Sequence, residues 1–305
     1  MSFEKAAILG LGHIGSSISH AIRKHGGAKT IVGHARSAET RRVALDIGLV
    51  ASVHENPADA VKDADLIILC APIGVCGALA QAISRSITTG AIVSDVGSVK
   101  GAIVRDVGPH VPAHAHFIPG HPIAGTEQSG PRSGFAELFE NRWCVLTPVP
   151  GSDPAKVQQL EDFWTGLGSK VERMTAEHHD MVLAMTSHLP HLIAYNAVAT
   201  AADLEEVTQS EVIKFSAGGF RDLTRIAASD PTMWRDVFLN NKEAVLETLG
   251  RFSEELSVLQ RAIRWGDGET LFELFSRARE IRRGIIAAGQ DTAAPNFGRD
   301  PTKLS

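Results

Sequence analysis

A glycine-rich turn follows the apolar residues 6–9 and precedes a segment with the pattern of a helix. The turn has the GxGxxG sequence Gly10-Leu11-Gly12-His13-Ile14-Gly15. In such a turn the first glycine reverses the chain, the second lets the backbone approach a pyrophosphate, and the third lets helix and strand pack closely. The first amides of the helix then face the phosphates. This context predicts a dinucleotide-binding βαβ unit, whereas the same glycines away from a strand would indicate only an ordinary turn.

Apolar runs alternate with helical patterns through the first half of the chain. The runs occupy residues 6–9, 30–33, 66–70, 91–95 and 116–119. They are apolar throughout, as is typical of parallel strands that are buried on both faces. The alternation predicts an α/β fold with a doubly wound, mostly parallel sheet, the Rossmann arrangement. A helix at 155–167 and a short strand at 170–173 are expected to complete this sheet.

Helical patterns replace strand patterns in the second half of the chain. They cover residues 176–202, 209–215, 232–263 and 268–289. We therefore predict a Rossmann domain at 1–174, an all-α domain for substrate binding and dimerisation at 175–290, and a flexible tail at 291–305. The apolar positions of the long helices favour a homodimer, although they could also pack within one chain.

Composition excludes several classes of protein. Hydrophobic residues make up 44% of the 305 residues, and the formal net charge is −5 without a block of like charges. This balance favours neither a nucleic-acid nor a membrane partner. We expect no signal peptide, because the first residues lead directly into a strand, and no apolar run is long enough for a transmembrane helix. The three cysteines show no CxxC or metal-type spacing, which favours a cytoplasmic protein without a metal.

The residues after the second predicted strand bear on the choice of cofactor. NAD-binding domains carry an acidic residue here for the ribose 2′-hydroxyl, and this chain has Ala35 at that position. Arg36 and Ser37 follow, and an arginine beside a hydroxyl suits a 2′-phosphate. Arg41 and Arg42 add positive charge on the next helix. The sequence thus favours NADP over NAD, although Arg36 could also stack on the adenine of either cofactor.

Two polar loops follow later strands, at the sheet edge where ligands bind in open α/β sheets. Their sequences are DVGSVK at 95–100 and GHPIAGTE at 120–127. An enzyme that oxidises an alcohol must take up the hydroxyl proton, and histidine suits that role near neutral pH. His121 is therefore the candidate catalytic base, and Ser98 can hold the same hydroxyl. The alternatives are a structural role for His121 and a helix N-cap role for Ser98.

These loops and three later stretches together resemble a known family. The later stretches are SHLPH at 187–191, GFRDLTRIA at 219–227 and PTMWR at 231–235. In combination and order, the motifs resemble those of prephenate and arogenate dehydrogenases, and most of all the broad-specificity cyclohexadienyl dehydrogenases of bacteria. The resemblance runs from the first strand to about residue 288. The position of Ala35, where many members carry Asp, departs from the family pattern and puts a preference for NAD in doubt.

The resemblance implies a role for each matching residue. His121 would take the proton of the ring hydroxyl, Ser98 would orient that hydroxyl, and Arg225 would bind the ring carboxylate. The remaining residues expected near the substrate are Thr126, Glu127, His188, His191 and Trp234. Contacts with the cofactor are expected from Gly10, Gly12, His13, Ile14, Gly15, Arg36, Ser37, Pro72 and Asp95. From the sequence alone, Arg225 could instead join an ion network with Arg221, Asp222, Arg235 and Asp236.

The reaction that the resemblance implies is an NAD(P)-dependent oxidative decarboxylation. Hydride would leave ring C4 of prephenate, arogenate or both, carbon dioxide would leave C1, and the ring would become aromatic. The sequence leaves open whether the substrate side chain carries a keto or an amino group. Other possibilities are a 3-hydroxyacid or sugar-acid dehydrogenase of similar plan and a non-catalytic NADP-binding sensor. We expect His178, His179 and Asp180 to form a solvated or capping group near a helix start.

Overall fold

A computed structural model describes residues 3–126, 128–208, 214 and 217–287 of the chain. Its contacts divide the chain into two compact units, Met1–Thr248 and Leu249–Ser305. The first unit holds a six-stranded sheet, a three-stranded sheet and most of the helices. The second holds the end of one long helix and a further helix. The domain boundary that the sequence places between residues 174 and 175 stays a prediction.

The six-stranded sheet is parallel throughout and confirms the predicted Rossmann arrangement. Its strand order is β3-β2-β1-β4-β5-β6. The strands are β1 (Phe3–Leu9), β2 (Ala28–His34), β3 (Ser52–His54), β4 (Leu66–Leu69), β5 (Ile92–Asp95) and β6 (His116–Phe117). All five predicted strands are present. The sequence missed β3, whose three residues are only half buried and carry no apolar run.

Helices cover both faces of this sheet because successive strand residues point to opposite sides. Ala6 and Ile8 of β1 belong to one buried cluster, whereas Ala7 and Leu9 belong to another. The helices of this region are α1 (His13–His25), α2 (Ala38–Asp46), α3 (Pro57–Ala60), α4 (Ile73–Ile83), α5 (Lys100–Val107) and α6 (Pro154–Gly166). Side chains of α1 and α6 fill the first cluster, and those of α4 and α5 fill the second.

The strand that was expected to complete the main sheet belongs to a second, three-stranded sheet. This sheet contains β7 (Gly120–Pro122), β8 (Trp143–Leu146) and β9 (Lys170–Arg173) in that order. The prediction that the strand at 170–173 finishes the main sheet is therefore wrong, because this strand pairs in parallel with β8. The predicted loop at 120–127 begins as strand β7, which pairs antiparallel with β8 and sets His121 opposite Val145.

The C-terminal part is helical, as predicted. It comprises α7 (Ala176–Leu183), a π-helical turn (Ala184–His188), α8 (Leu189–Thr208), α9 (Gly218–Thr224), a 3₁₀ turn (Arg225–Ala228), α10 (Pro231–Asn240), α11 (Lys242–Trp265) and α12 (Gly268–Ala287). The predicted continuous helix at 232–263 is interrupted at Asn241. The predicted helix at 209–215 lies almost wholly outside the described residues, as does the predicted tail at 291–305. No helix within the described ranges is both long and apolar enough to cross a bilayer.

Candidate active site

The glycine-rich turn between β1 and α1 has the shape that a pyrophosphate requires. Gly10 has a φ of +115°, and a Cβ there would lie 2.3 Å from the carbonyl oxygen of Cys70. A Cβ on Gly15 would lie 1.9 Å from the carbonyl oxygen of Gly10. A Cβ on Gly12 would meet open space, and among the described residues no side chain caps the amides of α1. These residues therefore fit a dinucleotide, because only the outer two glycines are filled by protein and the middle one faces outward.

His13 links this turn to the segment that follows β7. One ring nitrogen of His13, Nδ1, lies 3.0 Å from the carbonyl oxygen of Ser133, and the other lies 3.4 Å from the hydroxyl of Thr126. Gly134 packs so closely on α1 that a Cβ there would meet Ser16 at 2.3 Å. The structure thus brings Thr126, a predicted substrate residue, next to the predicted phosphate site. The prediction for Glu127 lies outside the described residues.

The end of β2 carries the residues that the sequence associates with the cofactor. Ala35 is buried, Arg36 is exposed, and the hydroxyl of Ser37 accepts the amide of Thr40 as the N-cap of α2. Arg41 donates to the carbonyl oxygens of Ala35 and Arg36 at 2.9 and 2.7 Å. Arg41 therefore fixes the backbone, and Arg36 is the guanidinium that this edge presents to solvent. Pro72, at the N-cap of α4, is also exposed.

His121 lies on β7 at the centre of a buried polar cluster. Only 9% of its surface is exposed, and its Nδ1 lies 2.8 Å from Nε2 of His179. The Nδ1 atom of His179 in turn lies 2.8 Å from Oδ1 of Asp180. Burial lowers the pKa of His121 well below 6.5, and the adjacent His179, Lys100 and His188 lower it further. His121 is therefore neutral at physiological pH, which is the state that a general base needs.

The pair His179–Asp180 corrects the interpretation of these residues from sequence. A solvated or capping group was expected, but His179 is fully buried and Asp180 is 8% exposed. Asp180 does cap a helix, although not its own. Its Oδ1 and Oδ2 accept the amides of Lys100 and Gly101 at 2.7 and 2.8 Å, at the start of α5. The sequence around His179 and Asp180 does not indicate that these side chains contact a different helix.

A buried ion pair holds the residue that precedes His121. Lys100 and Asp95 are both fully buried, and Nζ of Lys100 donates to Oδ2 of Asp95 and to the carbonyl oxygen of Gly120, each at 2.5 Å. Asp95 accepts the amides of Gly97 and Gly120. The cofactor contact predicted for Asp95 is thereby restricted to its backbone, because its carboxylate is enclosed by protein. The sequence reasoning assigned no role to Lys100.

Ser98 lies on the same loop and keeps its hydroxyl available. The residue is half buried, and its Oγ has no hydrogen-bond partner within the described part of the chain. The alternative of a helix N-cap is not supported, since Val99 occupies that position and Asp180 supplies the side-chain cap. The predicted role of Ser98 toward a substrate hydroxyl stays a prediction that this geometry permits.

Two further histidines lie beside this cluster on successive turns. His191 is half buried, and its Nδ1 donates to the carbonyl oxygen of Ser187 at 2.8 Å, which leaves Nε2 as an acceptor. His188 is fully buried, and its Nδ1 accepts from the amide of Asn241 at 3.0 Å. Burial lowers the pKa of His188 to about 4. Enclosure by protein favours a supporting role for His188 over the predicted direct contact with substrate.

Trp234 and Arg225 complete the group. The indole of Trp234 is 6% exposed and stacks on His191, with ring centroids 3.6 Å apart. Arg225 is exposed and near enough to His191 to lower the pKa of that histidine. Of the other members of the alternative ion network, Arg221 pairs with Asp222 and Arg235 with Asp236, each with its sequence neighbour.

Asn241 is a site residue that the sequence analysis missed. It separates α10 from α11 and is 6% exposed. Its side-chain amide donates to the carbonyl oxygen of Asp180 at 2.8 Å as well as to His188. A single asparagine within a long helical pattern is a weak signal of a break. In the described part of the chain, no three His, Cys, Asp or Glu side chains cluster as metal ligands would.

Comparison with known proteins gives concordant matches over most of the chain. Residues 18–173 match the family described as prephenate dehydrogenase, nucleotide-binding domain, and residues 175–277 match prephenate dehydrogenase, dimerization domain. Cyclohexadienyl dehydrogenase of Zymomonas mobilis is 38% identical over 283 residues, which cover 93% of this chain and 96% of that protein.

Two solved structures are also similar. Prephenate dehydrogenase of Aquifex aeolicus, solved with hydroxyphenyl propionate and NAD+, has a TM-score of 0.87 and 33% identity, with 93% of this chain and 99% of that chain covered. Synechocystis arogenate dehydrogenase has a TM-score of 0.77 and 28% identity, with 92% and 99% covered. The sequence motifs, the fold and the comparisons therefore indicate the same family.

Proposed function

This chain belongs to the prephenate dehydrogenase family, the NAD(P)-dependent dehydrogenases of tyrosine biosynthesis, and on that premise we propose that its substrate is prephenate, arogenate or both. The products are 4-hydroxyphenylpyruvate from prephenate and tyrosine from arogenate. The observation that carries the proposal is the buried position of His121, directly after Gly120, whose carbonyl oxygen accepts a hydrogen bond from Lys100. Burial lowers the pKa of His121 and so favours its neutral form. A neutral histidine at this position suits a base that takes the hydroxyl proton of a ring alcohol held near the nicotinamide.

The residues of the chain divide the work of the reaction. Nε2 of His121 takes the proton from the hydroxyl on C4, and the free hydroxyl of Ser98 orients that oxygen. A nicotinamide bound at the glycine-rich turn would supply the acceptor for the hydride from C4. Carbon dioxide leaves C1, and the electrons of the broken bond between C1 and the carboxylate stay in the ring. The proton held by His121 then returns to the oxygen on C4, so that the product is an aromatic phenol. The chain therefore supplies positioning and one proton acceptor, and aromatisation supplies the driving force.

Charged and stacked groups suit the anionic substrate. Arg225 binds the ring carboxylate, because a guanidinium matches the geometry of a carboxylate with two hydrogen bonds. His191 presents its Nε2 acceptor beside Arg225 and lies flat against Trp234. Thr126, whose hydroxyl lies 3.4 Å from Nε2 of His13, and its sequence neighbour Glu127 contact the substrate side chain in this proposal. His188 and Asn241 support this arrangement from within the protein.

We also propose NADP as the preferred cofactor. At the end of β2, Ala35 offers no carboxylate for a ribose 2′-hydroxyl, and the next two residues, Arg36 and Ser37, are both exposed. A 2′-phosphate would gain a charge-assisted contact there. The proposal depends on Arg36 among the nearby arginines, because Arg41 is engaged by the backbone and by Glu55, and Arg42 pairs with Asp46.

Steady-state rates with both substrates and both cofactors test these proposals together. We expect turnover of prephenate or arogenate, with formation of carbon dioxide and reduced cofactor in equal amounts, and a higher kcat/KM with NADP. Absence of turnover with either substrate would contradict the proposed reaction. A rate with NAD far above the rate with NADP would contradict only the assignment of Arg36.

Substitution of Arg225 tests the carboxylate contact. Arg225→Met keeps the length of the side chain and removes its charge, so KM should rise by about 10- to 100-fold, the effect of losing a charged hydrogen bond. Arg221→Met, four residues earlier on α9, should leave KM within about twofold. Equal effects of the two substitutions on KM would show that the charge acts at long range and not by contact.

We propose that the protein is a homodimer through its helical part. Residues of the second compact unit expose large apolar side chains, with Ile263, Trp265 and Phe272 at 69%, 75% and 73%. Apolar patches of this kind are typical of subunit interfaces. Light scattering should give twice the mass of one chain, and a monomer at micromolar concentration would contradict the proposal.

The three unpaired cysteines, all at least half buried, support the cytoplasmic location expected from the sequence.

A further inference from the structure

A chain of three side chains leads from His121 into the protein interior. His121, His179 and Asp180 are joined by two contacts of 2.8 Å, from Nδ1 to Nε2 and from Nδ1 to Oδ1. The two imidazole rings meet at an interplanar angle of 63° with centroids 5.1 Å apart. They therefore do not stack face to face, and the shared contact runs between ring nitrogens. Resting on the proposed function of His121, we propose that His179 and Asp180 are positioning residues that keep its proton on Nδ1 and leave Nε2 as the base.

The direction of each hydrogen bond follows from its innermost member. Both carboxylate oxygens of Asp180 accept backbone amides at the start of α5, so this side chain acts as an acceptor. The Nδ1 atom of His179 must then carry a proton and donate it to Oδ1. In a neutral imidazole the remaining nitrogen is an acceptor, so Nε2 of His179 accepts a hydrogen bond from His121. Nδ1 of His121 is therefore the protonated atom, and its Nε2 carries the lone pair.

The electrostatic surroundings preserve this arrangement by keeping both imidazoles neutral. Burial lowers the pKa of His179, and the positive charge of Lys100 lowers it further, against the opposing effect of Asp180. Burial and the neighbouring His179, Lys100 and His188 lower the pKa of His121. A second proton on His179 would set two N–H groups against each other at 2.8 Å. The neutral pair thus has one consistent arrangement of protons.

The same arrangement serves the step in which His121 becomes charged. When Nε2 takes the proton of the substrate hydroxyl, Nδ1 still donates to His179, so no hydrogen bond must be broken. The new positive charge is then stabilised through His179 by the carboxylate of Asp180. A base whose second nitrogen is already paired in this way needs no reorganisation at the moment of proton transfer.

His179 is a better test position than Asp180. Asp180 also caps α5 through Lys100 and Gly101 and binds Asn241 through its carbonyl oxygen, so its replacement would disturb the fold. His179→Phe keeps a planar ring but removes the acceptor for His121. His179→Gln can place its Oε1 where the imidazole Nε2 lies and so restores an acceptor. His178→Phe, at the exposed neighbouring position, is the matched control.

The decisive measurements are the tautomer of His121 and the kinetic constants. Nitrogen-15 NMR of histidine-labelled protein gives the tautomer, with the signals of His121 assigned by their loss in His121→Asn. We expect Nδ1–H in the wild type and in His179→Gln, and a mixed or Nε2–H state in His179→Phe. The kcat of His179→Phe should fall by about 100-fold with KM nearly unchanged, as for other bases held in the wrong tautomer. His179→Gln should recover kcat to within about tenfold of wild type, and His178→Phe should match wild type.

The possible results separate failure of this proposal from failure of the proposed function. If His179→Phe keeps the Nδ1–H tautomer or keeps kcat within about threefold, the positioning role is overturned while His121 can still be the base. If Gln and Phe at position 179 lower kcat equally with the tautomer unchanged, His179 is structural only. If His121→Asn retains turnover, the proposed function itself is wrong, whatever happens at position 179.

Discussion

Replacing His121 with asparagine should lower kcat by about 100- to 10,000-fold, the contribution of a general base to a proton transfer. Asparagine can still fill most of the space of the imidazole, so the fold and the cofactor affinity should be unchanged. The loss arises because the amide cannot take a proton at Nε2, the atom that the contact with His179 leaves free. If the protein is a dehydrogenase, His121→Asn should lower kcat without weakening cofactor binding. If it is a non-catalytic NADP-binding sensor, the substitution should have no functional effect.

Stopped-flow or steady-state absorbance of the reduced cofactor measures this effect. His178→Asn is the matched control, because His178 lies on the same helix as His179 with its side chain exposed. Fluorescence titration with NADP tests in parallel whether each variant still binds cofactor. A His121→Asn variant that binds cofactor and turns over at more than about a third of the wild-type rate would remove His121 from the mechanism.

The pH profile gives an independent measure of the same group. The pKa of His121 lies below 6.5 because the ring is buried and faces His179, Lys100 and His188. Since the neutral form is the base, kcat/KM should stay constant down to pH 6.5 and fall only at more acidic pH. Because the folded protein disfavours protonation of His121, the acid limb of the kcat/KM profile should lie at a lower pH than the pKa of an ordinary histidine. An acid limb centred at or above pH 6.5 would contradict a buried base.

Much of the fold was predictable because local pattern and global fold agree. Strands such as β1 and β4 are continuous apolar runs, which is what burial on both faces requires. The second sheet was not predictable in the same way. Its strand β7 has only three residues and pairs with β8 more than twenty residues away, so its formation depends on tertiary contacts and not on local pattern. The strand at 170–173 was found but assigned to the wrong sheet for the same reason.

Candidate site residues could be proposed from the sequence where a residue type alone limits the chemistry. His121, Arg225 and the glycine turn each carry a property that few other residues can supply. The residues that hold His121 were not predictable, since their roles depend on burial. Polar residue types usually lie at the surface, but the fold buries Lys100, His179 and Asn241 and determines their hydrogen-bond partners. From sequence alone, charged and polar residues are predicted to be exposed to solvent, and buried polar networks are the exceptions.

The ion pair of Lys100 and Asp95 should have the largest effect on stability of any pair in the described part of the first unit. Both side chains are fully buried, so Lys100→Met leaves a carboxylate in the interior with no cation beside it. Removing one partner of a buried pair costs about 3–5 kcal/mol of the free energy of unfolding. Activity should also fall, because Lys100 binds the carbonyl oxygen of Gly120 and so helps to place His121. Urea unfolding at fixed protein concentration measures the change in stability.

A double-mutant cycle with Asp95→Asn separates the charge from the packing. If the cost of Lys100→Met comes from an uncompensated carboxylate, then neutralising Asp95 in the same chain removes that cost in part. The double variant should therefore be more stable than the sum of the two single effects predicts, by at least about 2 kcal/mol. Lys62→Met breaks the exposed pair with Asp59 and should have a far smaller effect, because water replaces the lost partner. Additive effects of Lys100→Met and Asp95→Asn would mean that the two charges contribute independently to stability. The hydrogen bond from Lys100 to the carbonyl oxygen of Gly120 would then not depend on the ion pair.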